Sequence, residues 1–553
     1  MKNIDLNYPR PQLKRDNYII LDGKWQYKIV PDVEKNIDYQ GFINVPYSPE
    51  AKLSGVSKVL KPNEELWYKR EVMLPKSVTK GKIILNFGAV DQICDVFINN
   101  QHVKHHVGGY TPFSCDITNY IKDKKIDVEI KVKDYTEKSE LSRGKQSLKP
   151  NTIWYQCQSG IWQTVWLENV PEYYIKNVKI TPDINKKRIS IIVEANNDGL
   201  CSVKIGMKKY TIPVNQNTVI EFDKVKEWTP ESPNLYDVDI KYGEDNVKTY
   251  FGFREIKIDT INNTPYIFLN NKPIFLNGIL EQGYYKNGLY TPDTFETVLN
   301  DLSFIKSQGF NTIRKHVKIE PAIYYYLCDK LGIIVIQDMV NGGGNYNNFV
   351  VKAPLILPLK LQDNNYKILK RQNEEAKTNF EEEIHDTINY LYNFPSICMW
   401  SIFNEGWGQY DSIRLYDYVR SLDSTRIIDP CSGWYDQQYG DLKSDHCYFI
   451  KYRYKKDKQN RATILSEYGG YSYGDAGGYT YKNLKSEKEY LEKIKKCLQN
   501  EILNNTNNGL CGAIYTQYND IESEKNGIVD ENRNPKSKSL KRVFNIGEVY
   551  EQK

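Results

Sequence analysis

A change of pattern near Asp259 constrains the fold of this chain more than any other feature. Beyond it, short apolar runs alternate with amphipathic segments such as TPDTFETVLNDLSFIKSQG (291–309) and NFEEEIHDTINYLYNFP (379–395). Alternating strands and helices form a parallel sheet, and eight such runs in about 295 residues predict a (β/α)8 TIM barrel. The fifth to seventh runs lie so close together that a helix there must be short or absent. The eight runs occupy residues 273–280, 311–317, 333–339, 397–405, 426–434, 445–450, 462–470 and 512–520.

The sequence upstream of the barrel is dense in short strands. Residues 1–171 alternate β-like runs such as IDVEIKVKDY (126–135) with turns, which predicts a β-sandwich of the jelly-roll type. Six or seven further strands fall within residues 172–258, which is the size of an immunoglobulin-like β-sandwich. We therefore predict three domains, bounded at 1–171, 172–258 and 259–553.

Charge and apolar patterning exclude several classes of protein. The net charge is +5, from 75 basic and 70 acidic residues without a long basic block, so no nucleic-acid partner is expected. The N-terminal stretch has no apolar core, and no run approaches the ~18 apolar residues of a membrane span, so we expect neither a signal peptide nor a membrane partner. Ten scattered cysteines without a CxxC pair predict free thiols in the cytoplasm.

Two of the barrel runs end in a carboxylate. ICMWSIF runs directly into Asn404 and Glu405, and ATIL is followed by Ser466 and Glu467. An unpaired buried carboxylate is costly, so each glutamate must line a cavity or meet a cation. The carboxyl ends of barrel strands meet at one mouth, where two carboxyl groups ~5–5.5 Å apart would form a retaining glycosidase site. The alternative is a pair of structural ion pairs at the barrel rim.

Longer motifs add a family resemblance that covers nearly the whole chain. FNEGWGQYD and SEYGGY surround the two glutamates, and FGFREIKID (251–259) precedes the barrel. Together with WYKREVMLP (67–75) and SGIWQTVWLE (159–168), they resemble glycoside hydrolase family 2, the β-galactosidase, β-glucuronidase and β-mannosidase group. The resemblance implies a retaining exo-β-glycosidase that acts on oligosaccharides or glycosides. It implies no cofactor and no required metal, and it leaves a homo-oligomer open.

The resemblance also implies roles for individual residues. Glu405 would be the general acid/base, Glu467 the nucleophile, and Asn404 the partner of the sugar 2-hydroxyl. Arg314 and His316, at the end of the second strand, would lie beneath the nucleophile and the sugar. A guanidinium would keep the nucleophile ionised at neutral pH, whereas the alternative for Arg314 is a salt bridge at the rim.

Several other strand-end residues are candidates for sugar contacts. Three of them have a structural alternative, which is packing for Trp407 and Trp434 and a satisfied hydrogen bond for His446. Asp338 is expected either to bind sugar hydroxyls or to hold the arginine. Glu281 is a weaker candidate. The remaining substrate-binding candidates are His446, Trp407, Trp434 and Tyr515.

The sequence departs from the family pattern where the sugar is selected. β-Glucuronidases carry an Asn-x-Lys pair after the last strand, where this chain has Glu524-Lys525-Asn526. Because an acidic residue there would repel a uronate, we predict a neutral β-linked sugar, with β-galactoside first. β-Mannoside, β-glucuronide and arabinoside remain alternatives, as does a non-catalytic carbohydrate-binding protein. The loop 149–160, with Trp154 and Tyr155, is expected to reach the site as an apolar wall.

Overall fold

The structure is a computed structural model that describes residues 5–32, 38–75, 81–355 and 359–550. Two β-sandwiches precede a parallel barrel, as the strand patterns predict. The first sandwich packs an antiparallel four-stranded sheet against a six-stranded one. Alternate residues of its long strands are buried, so each strand gives one face to the core. In sheet order its strands are Tyr18–Ile20, Val165–Val170, Lys82–Phe87 and Phe113–Asp116, then Gly41–Val45, Gly23–Pro31, Glu64–Met73, Lys125–Lys133, Ile93–Ile98 and Gln101–Val107.

The second sandwich is smaller and has its own aliphatic core. A three-stranded and a four-stranded antiparallel sheet face each other, which is the immunoglobulin-like arrangement expected for this segment. In sheet order the strands are Ile175–Asp183, Arg188–Ala195 and Thr218–Glu221, then Lys208–Pro213, Leu200–Ile205, Tyr236–Tyr242 and Asp245–Phe251.

Eight parallel strands then form a nearly closed barrel, in which neighbouring strands follow chain order and the last strand also pairs with the first. The predicted runs match these strands, although the sixth strand begins three residues earlier than predicted. The strands are β1 (Leu276–Glu281), β2 (Thr312–Lys315), β3 (Ile334–Asp338), β4 (Ile397–Asn404), β5 (Ile427–Ser432), β6 (Leu442–Cys447), β7 (Ala462–Gly469) and β8 (Leu510–Thr516).

Helices cover the outside of the barrel unevenly. Within the described residues, no helix lies between β5 and β7, as their close spacing predicts. The segment after β3 contains short helices of its own before the helix that leads to β4. The helices are Phe295–Ser307, Ala322–Leu331, Asn348–Lys352, Tyr366–Leu369, Glu374–Leu391, Ser412–Leu422, Glu487–Cys497 and Leu540–Phe544.

Side chains of the barrel strands divide between two layers because successive residues point to opposite faces. Leu280, Ile336 and Ile514 pack inside the barrel, above a hairpin strand, Thr264–Leu269, that closes its lower end. Their neighbours in sequence, such as Ile279 and Val335, pack outward against the helices. Apolar side chains therefore fill the lower part of the barrel interior, and polar groups lie at the carboxyl ends of the strands.

Two sequence predictions about the chain as a whole can be compared with the structure. No cysteine among the described residues forms a disulfide, as predicted, and all but Cys447 are buried. No helix among the described residues is both long and apolar enough to cross a membrane.

Candidate active site

Arg314 is the centre of the barrel mouth. Its guanidinium is fully buried and donates from Nε to Asp338 Oδ1 at 3.0 Å, from Nη1 to Glu467 Oε1 at 3.0 Å, and from Nη2 to Asn404 Oδ1 at 2.8 Å. One side chain from β2 thus connects the ends of β3, β4 and β7. A buried cation with these charge-assisted hydrogen bonds fixes the orientation of three neighbouring polar groups.

The charges around Arg314 keep its acidic partners ionised. Burial raises the pKa of Glu467, but the charges of His446 and Arg314 outweigh it and bring that pKa down to about 2. Burial likewise opposes ionisation of Asp338, whereas Arg314 and His316 hold its pKa below the usual range. Glu467 is therefore a carboxylate at neutral pH, as a nucleophile requires.

A tyrosine completes the surroundings of Glu467. The Tyr448 hydroxyl donates to Glu467 Oε2, on the carboxylate oxygen that Arg314 does not bind. The Tyr448 ring stacks on Tyr481, with ring centroids 4.0 Å apart, so its position is fixed by packing. Sequence reasoning missed Tyr448, although its place two residues after His446, just beyond β6, was an available signal.

Glu405 lies where β4 turns out of the sheet. The strand ends at Asn404, and Glu405 has a left-handed backbone with φ 49°. His446 Nδ1 lies 2.8 Å from Glu405 Oε1, and Nε2 of the same ring lies 2.9 Å from Ser432 Oγ. An imidazole from β6 thus holds the carboxyl group over the mouth.

The two glutamates are close enough to act on one substrate atom. One oxygen of Glu405, one of Glu467 and a ring nitrogen of His446 lie within 4.8 Å of one another. That separation suits a retaining glycosidase, whose carboxyl groups are ~5–5.5 Å apart, and is too short for an inverting one. In the part of the chain described, these three residues are also the group with the spacing to hold a metal ion.

His316 and Trp407 form the floor beside Arg314. His316 Nδ1 lies 2.8 Å from Asp338 Oδ2, and burial lowers the His316 pKa to about 4, so the ring is neutral at pH 7. Its ring centroid is 6.1 Å from that of Trp407. Asp338 therefore holds the arginine and the histidine, which was one of the two roles considered from the sequence.

The remaining predicted aromatic residues are placed differently. Trp434 lies beside the site, 5.6 Å from His446 between ring centroids. Tyr515 is fully buried outside the barrel, where its ring contacts Tyr468 and Phe544. It follows Ile514, which points inward, so the alternation along β8 turns Tyr515 away from the mouth. The structure does not bring Tyr515 together with the two glutamates.

Glu281 is also separated from the mouth. Its carboxylate accepts from Lys315 Nζ at 2.5 Å and from Tyr324 Oη at 3.1 Å, within a buried cluster behind β1 and β2. Lys315 also pairs with Glu320. These partners satisfy the charge of Glu281, so a sugar contact is not needed to explain it.

The first domain forms one wall of the site, as the loop 149–160 predicts. Trp154 lies 5.2 Å from Trp407 between ring centroids. The wall is more polar than expected, since the Tyr155 hydroxyl donates to Glu524 and accepts from Gln282 Nε2 at 2.8 Å. The barrel mouth is therefore lined by residues of both the sandwich and the barrel.

The segment after β8 contributes a buried acid to that wall. Glu524 Oε1 accepts from Asn526 Nδ2 at 2.8 Å, and Gln517 Nε2 donates to Asn526 Oδ1 at 2.8 Å. Burial raises the Glu524 pKa, and the charge of Lys145 opposes the rise. Lys525, between them in sequence, pairs with Glu531 instead.

Comparison with known proteins identifies the family of this fold and site. The TIM barrel domain of glycosyl hydrolases family 2 matches residues 261–547, and the sugar binding domain of the same family matches residues 3–171. A third model, glycosyl hydrolases family 2, matches residues 173–254 between them. The chain belongs to glycosyl hydrolase family 2. The family 2 barrel is thus the part that carries both strand-end glutamates.

Individual relatives within family 2 differ in the sugars of their names. A putative beta-glucuronidase of Formosa agariphila is 25% identical over 85% of this chain and 57% of its own length. A beta-galactosidase of Priestia megaterium is 22% identical over 83% of this chain and 46% of its own length. The chain thus spans about half the length of the curated relatives it matches.

Solved structures share the whole fold. A beta-galacturonidase from Eisenbergiella tayi superposes with a TM-score of 0.75 at 22% identity, over 99% of this chain and 100% of that one. A beta-D-glucuronidase from Dictyoglomus thermophilum gives a TM-score of 0.78 at 18% identity, over 99% and 100%. The preference for β-galactosides predicted from the sequence is not confirmed by these relatives.

Proposed function

We propose that this family 2 protein is a retaining exo-β-glycosidase that works by double displacement. The observation that carries the proposal is the pair Glu405 and Glu467, within 4.8 Å, with Arg314 bonded to Glu467. Glu467, ionised beside the guanidinium, attacks the anomeric carbon and forms a glycosyl-enzyme intermediate. Glu405 protonates the leaving oxygen and then removes a proton from the water that releases the sugar.

Other contacts in this mouth fit the same reaction. Asn404 is oriented by its 2.8 Å bond from Arg314, which favours its proposed contact with the 2-hydroxyl in the transition state. Trp154 and Tyr155 close one side of the mouth, which favours a pocket for one terminal sugar over an open cleft. The carbohydrate-binding alternative gives no reason to lower the Glu467 pKa to about 2.

We infer that the glycone is a uronic acid in preference to a neutral sugar. The β-glucuronidase and β-galacturonidase relatives support this choice. Glu524 and the β-galactosidase relative favour the second candidate, a neutral β-galactoside. The ten free thiols support a reducing compartment such as the cytoplasm.

A panel of p-nitrophenyl glycosides tests both levels of the proposal. The panel contains β-glucuronide, β-galacturonide, β-galactoside, β-glucoside, β-mannoside and α-arabinoside, assayed with the wild type and with Glu467→Gln. Cleavage of a uronide by the wild type but not by Glu467→Gln supports the full proposal. Cleavage of neutral glycosides only would support the reaction but show that the glycone is a neutral sugar. Absence of cleavage across the panel, with no adduct from 2-fluoro glycosides, would favour the binding protein.

A further inference from the structure

We infer that Lys145, contributed by the first domain, binds the carboxylate of the sugar, an inference that rests on the proposed function. Lys145 lies directly beside Tyr155, whose backbone N–H donates to the Lys145 carbonyl at 2.9 Å. Its Nζ lies 5.6 Å from the ring centroids of both Tyr155 and Trp407. The side chain therefore extends from the sandwich to the floor of the barrel mouth.

Lys145 is a buried cation without a directly bonded counter-ion. The residue is 5% exposed, yet among the residues that the structure describes its Nζ has no hydrogen bond and no carboxylate at ion-pair distance. Lys315 and Lys318 are at least as buried, and each is paired with Glu320. Because an isolated buried charge is costly, Lys145 is suited to a ligand that brings its own negative charge.

Glu524 does not neutralise Lys145 directly. Both oxygens of Glu524 already accept hydrogen bonds, one from Tyr155 and one from Asn526. Glu524 and Lys145 interact at longer range, through their charges alone. The amine therefore keeps donors for a substrate, and Glu524 is held back from it by its other partners.

The charge of Lys145 acts on His316, which lies beside the proposed catalytic groups. After burial, the charge of Lys145 is the largest influence that lowers the pKa of His316, the residue bonded to Asp338. Trp407, beneath the amine, follows Glu405 by two residues. A sugar seated between Glu405 and Glu467 thus has Lys145 on its first-domain side.

A second cation strengthens the positive potential there. Arg143, two residues earlier, lies over the rings of Trp154 and Tyr346 at 5.0 and 5.2 Å. Within the described chain Arg143 also has no carboxylate at ion-pair distance. Its Nη1 donates to the Gln146 carbonyl instead. A hexuronide carboxylate matches this environment, whereas the CH2OH group of a neutral hexose leaves the amine without a counter-charge.

Substitution of Lys145 tests the inference through substrate discrimination. For Lys145→Met we expect kcat/KM on the uronide cleaved by the wild type to fall about 10- to 100-fold, chiefly through KM, since one charge-assisted hydrogen bond is lost. Activity on the matching neutral glycoside should change less than about threefold. Lys145→Arg should recover part of the loss. Lys149→Met, at an exposed lysine of the same segment, is the matched control and should resemble the wild type.

Equal losses on the acidic and the neutral glycoside would overturn the inference and make Lys145 a structural residue. A wild type that cleaves neutral glycosides alone would overturn it as well, while leaving the glycosidase proposal intact. These outcomes therefore distinguish failure of the Lys145 role from failure of the proposed reaction.

A binding experiment tests Lys145 without turnover. Calorimetric titration of Glu467→Gln with D-glucuronate and D-galacturonate should show binding that becomes weaker as the salt concentration rises. The affinity for both uronates should fall about 10- to 100-fold when Lys145→Met is added to Glu467→Gln. D-glucose and D-galactose should bind the two variants equally. If neither uronate binds more tightly than its neutral counterpart, Lys145 does not receive a carboxylate, whether or not the enzyme turns over.

Discussion

Arg314 donates to Glu467 at 3.0 Å while both side chains are buried, and this contact helps to set the charge state of the proposed nucleophile. Burial by itself would favour the neutral acid. The charges of His446 and Arg314 reverse that preference, so the Glu467 pKa is about 2. The same guanidinium orients Asn404, the residue proposed to bind the sugar 2-hydroxyl, and so connects it to the proposed nucleophile.

Replacement of Arg314 by Gln should move the acid limb of the pH profile. In the wild type Glu467 is ionised above about pH 2, so its titration lies below the working range. Without the cation the Glu467 pKa rises, and kcat/KM should fall more at pH 5 than at pH 8. We expect the acid limb to shift upward by at least about one pH unit, measured on the best panel substrate.

Arg314→Lys is the control for that experiment, because it retains a positive charge but not the three-way hydrogen bonding. Its acid limb should stay closer to that of the wild type. Circular dichroism and the thermal midpoint establish that each variant is folded. An unchanged acid limb in folded Arg314→Gln would show that the arginine does not control Glu467.

Glu467→Gln should lose at least about 10⁴-fold in kcat, because no carboxylate remains to form the covalent intermediate. The fold should persist, since Arg314 keeps its 3.0 Å bond to Asp338. Mass spectrometry of the wild type after a 2-fluoro glycoside should find the sugar on the peptide with Glu467. Label on another residue would remove the nucleophile assignment.

Glu405→Ala should discriminate between leaving groups. A dinitrophenyl glycoside needs little protonation and should retain much of its activity, whereas a methyl or sugar leaving group should lose about 10²- to 10⁴-fold. Azide should then restore turnover and give a glycosyl azide of retained configuration. Equal losses for both leaving groups would contradict the acid role.

Tyr448→Phe should reduce kcat about tenfold, because Glu467 loses a hydrogen bond at one oxygen. The stacked ring on Tyr481 remains, so stability should change little. Tyr439→Phe removes a hydrogen bond to Asp417 at the surface and serves as the matched control. Identical kinetics for both variants would show that the Tyr448 hydroxyl does not support the nucleophile.

Tyr515 should behave as a packing residue. Tyr515→Phe should keep kcat and KM within about twofold, since the ring stays against Tyr468 and Phe544. Tyr515→Ala should lower the free energy of unfolding by about 3–5 kcal/mol, as truncation of a buried aromatic ring does. A large rise of KM in Tyr515→Phe would show a sugar contact instead.

The barrel strands and the two glutamates could be predicted because each is a local pattern. Two apolar runs of strand length stop at Asn404-Glu405 and at Ser466-Glu467. Each run predicts both a buried strand and the position of the strand's polar end. The reach of the loop 149–160 into the mouth followed from the family resemblance. The burial of Tyr515 outside the barrel could not be predicted, because its place in the sequence did not reveal the face of β8 to which it belongs.

Only the tertiary structure could show the environment of the sugar pocket. Tyr155 and Glu524 are 369 residues apart, and their hydrogen bond depends on how the first domain seats on the barrel. No local periodicity of the sequence predicts such a contact. None predicts that Lys145 is buried over Trp407 without an ion pair. The sequence by itself determined the strands and the positions of the proposed catalytic pair, because burial and strand length are local properties of the sequence. The charges proposed to select the sugar depend on the tertiary structure, because they come from segments that meet only in three dimensions.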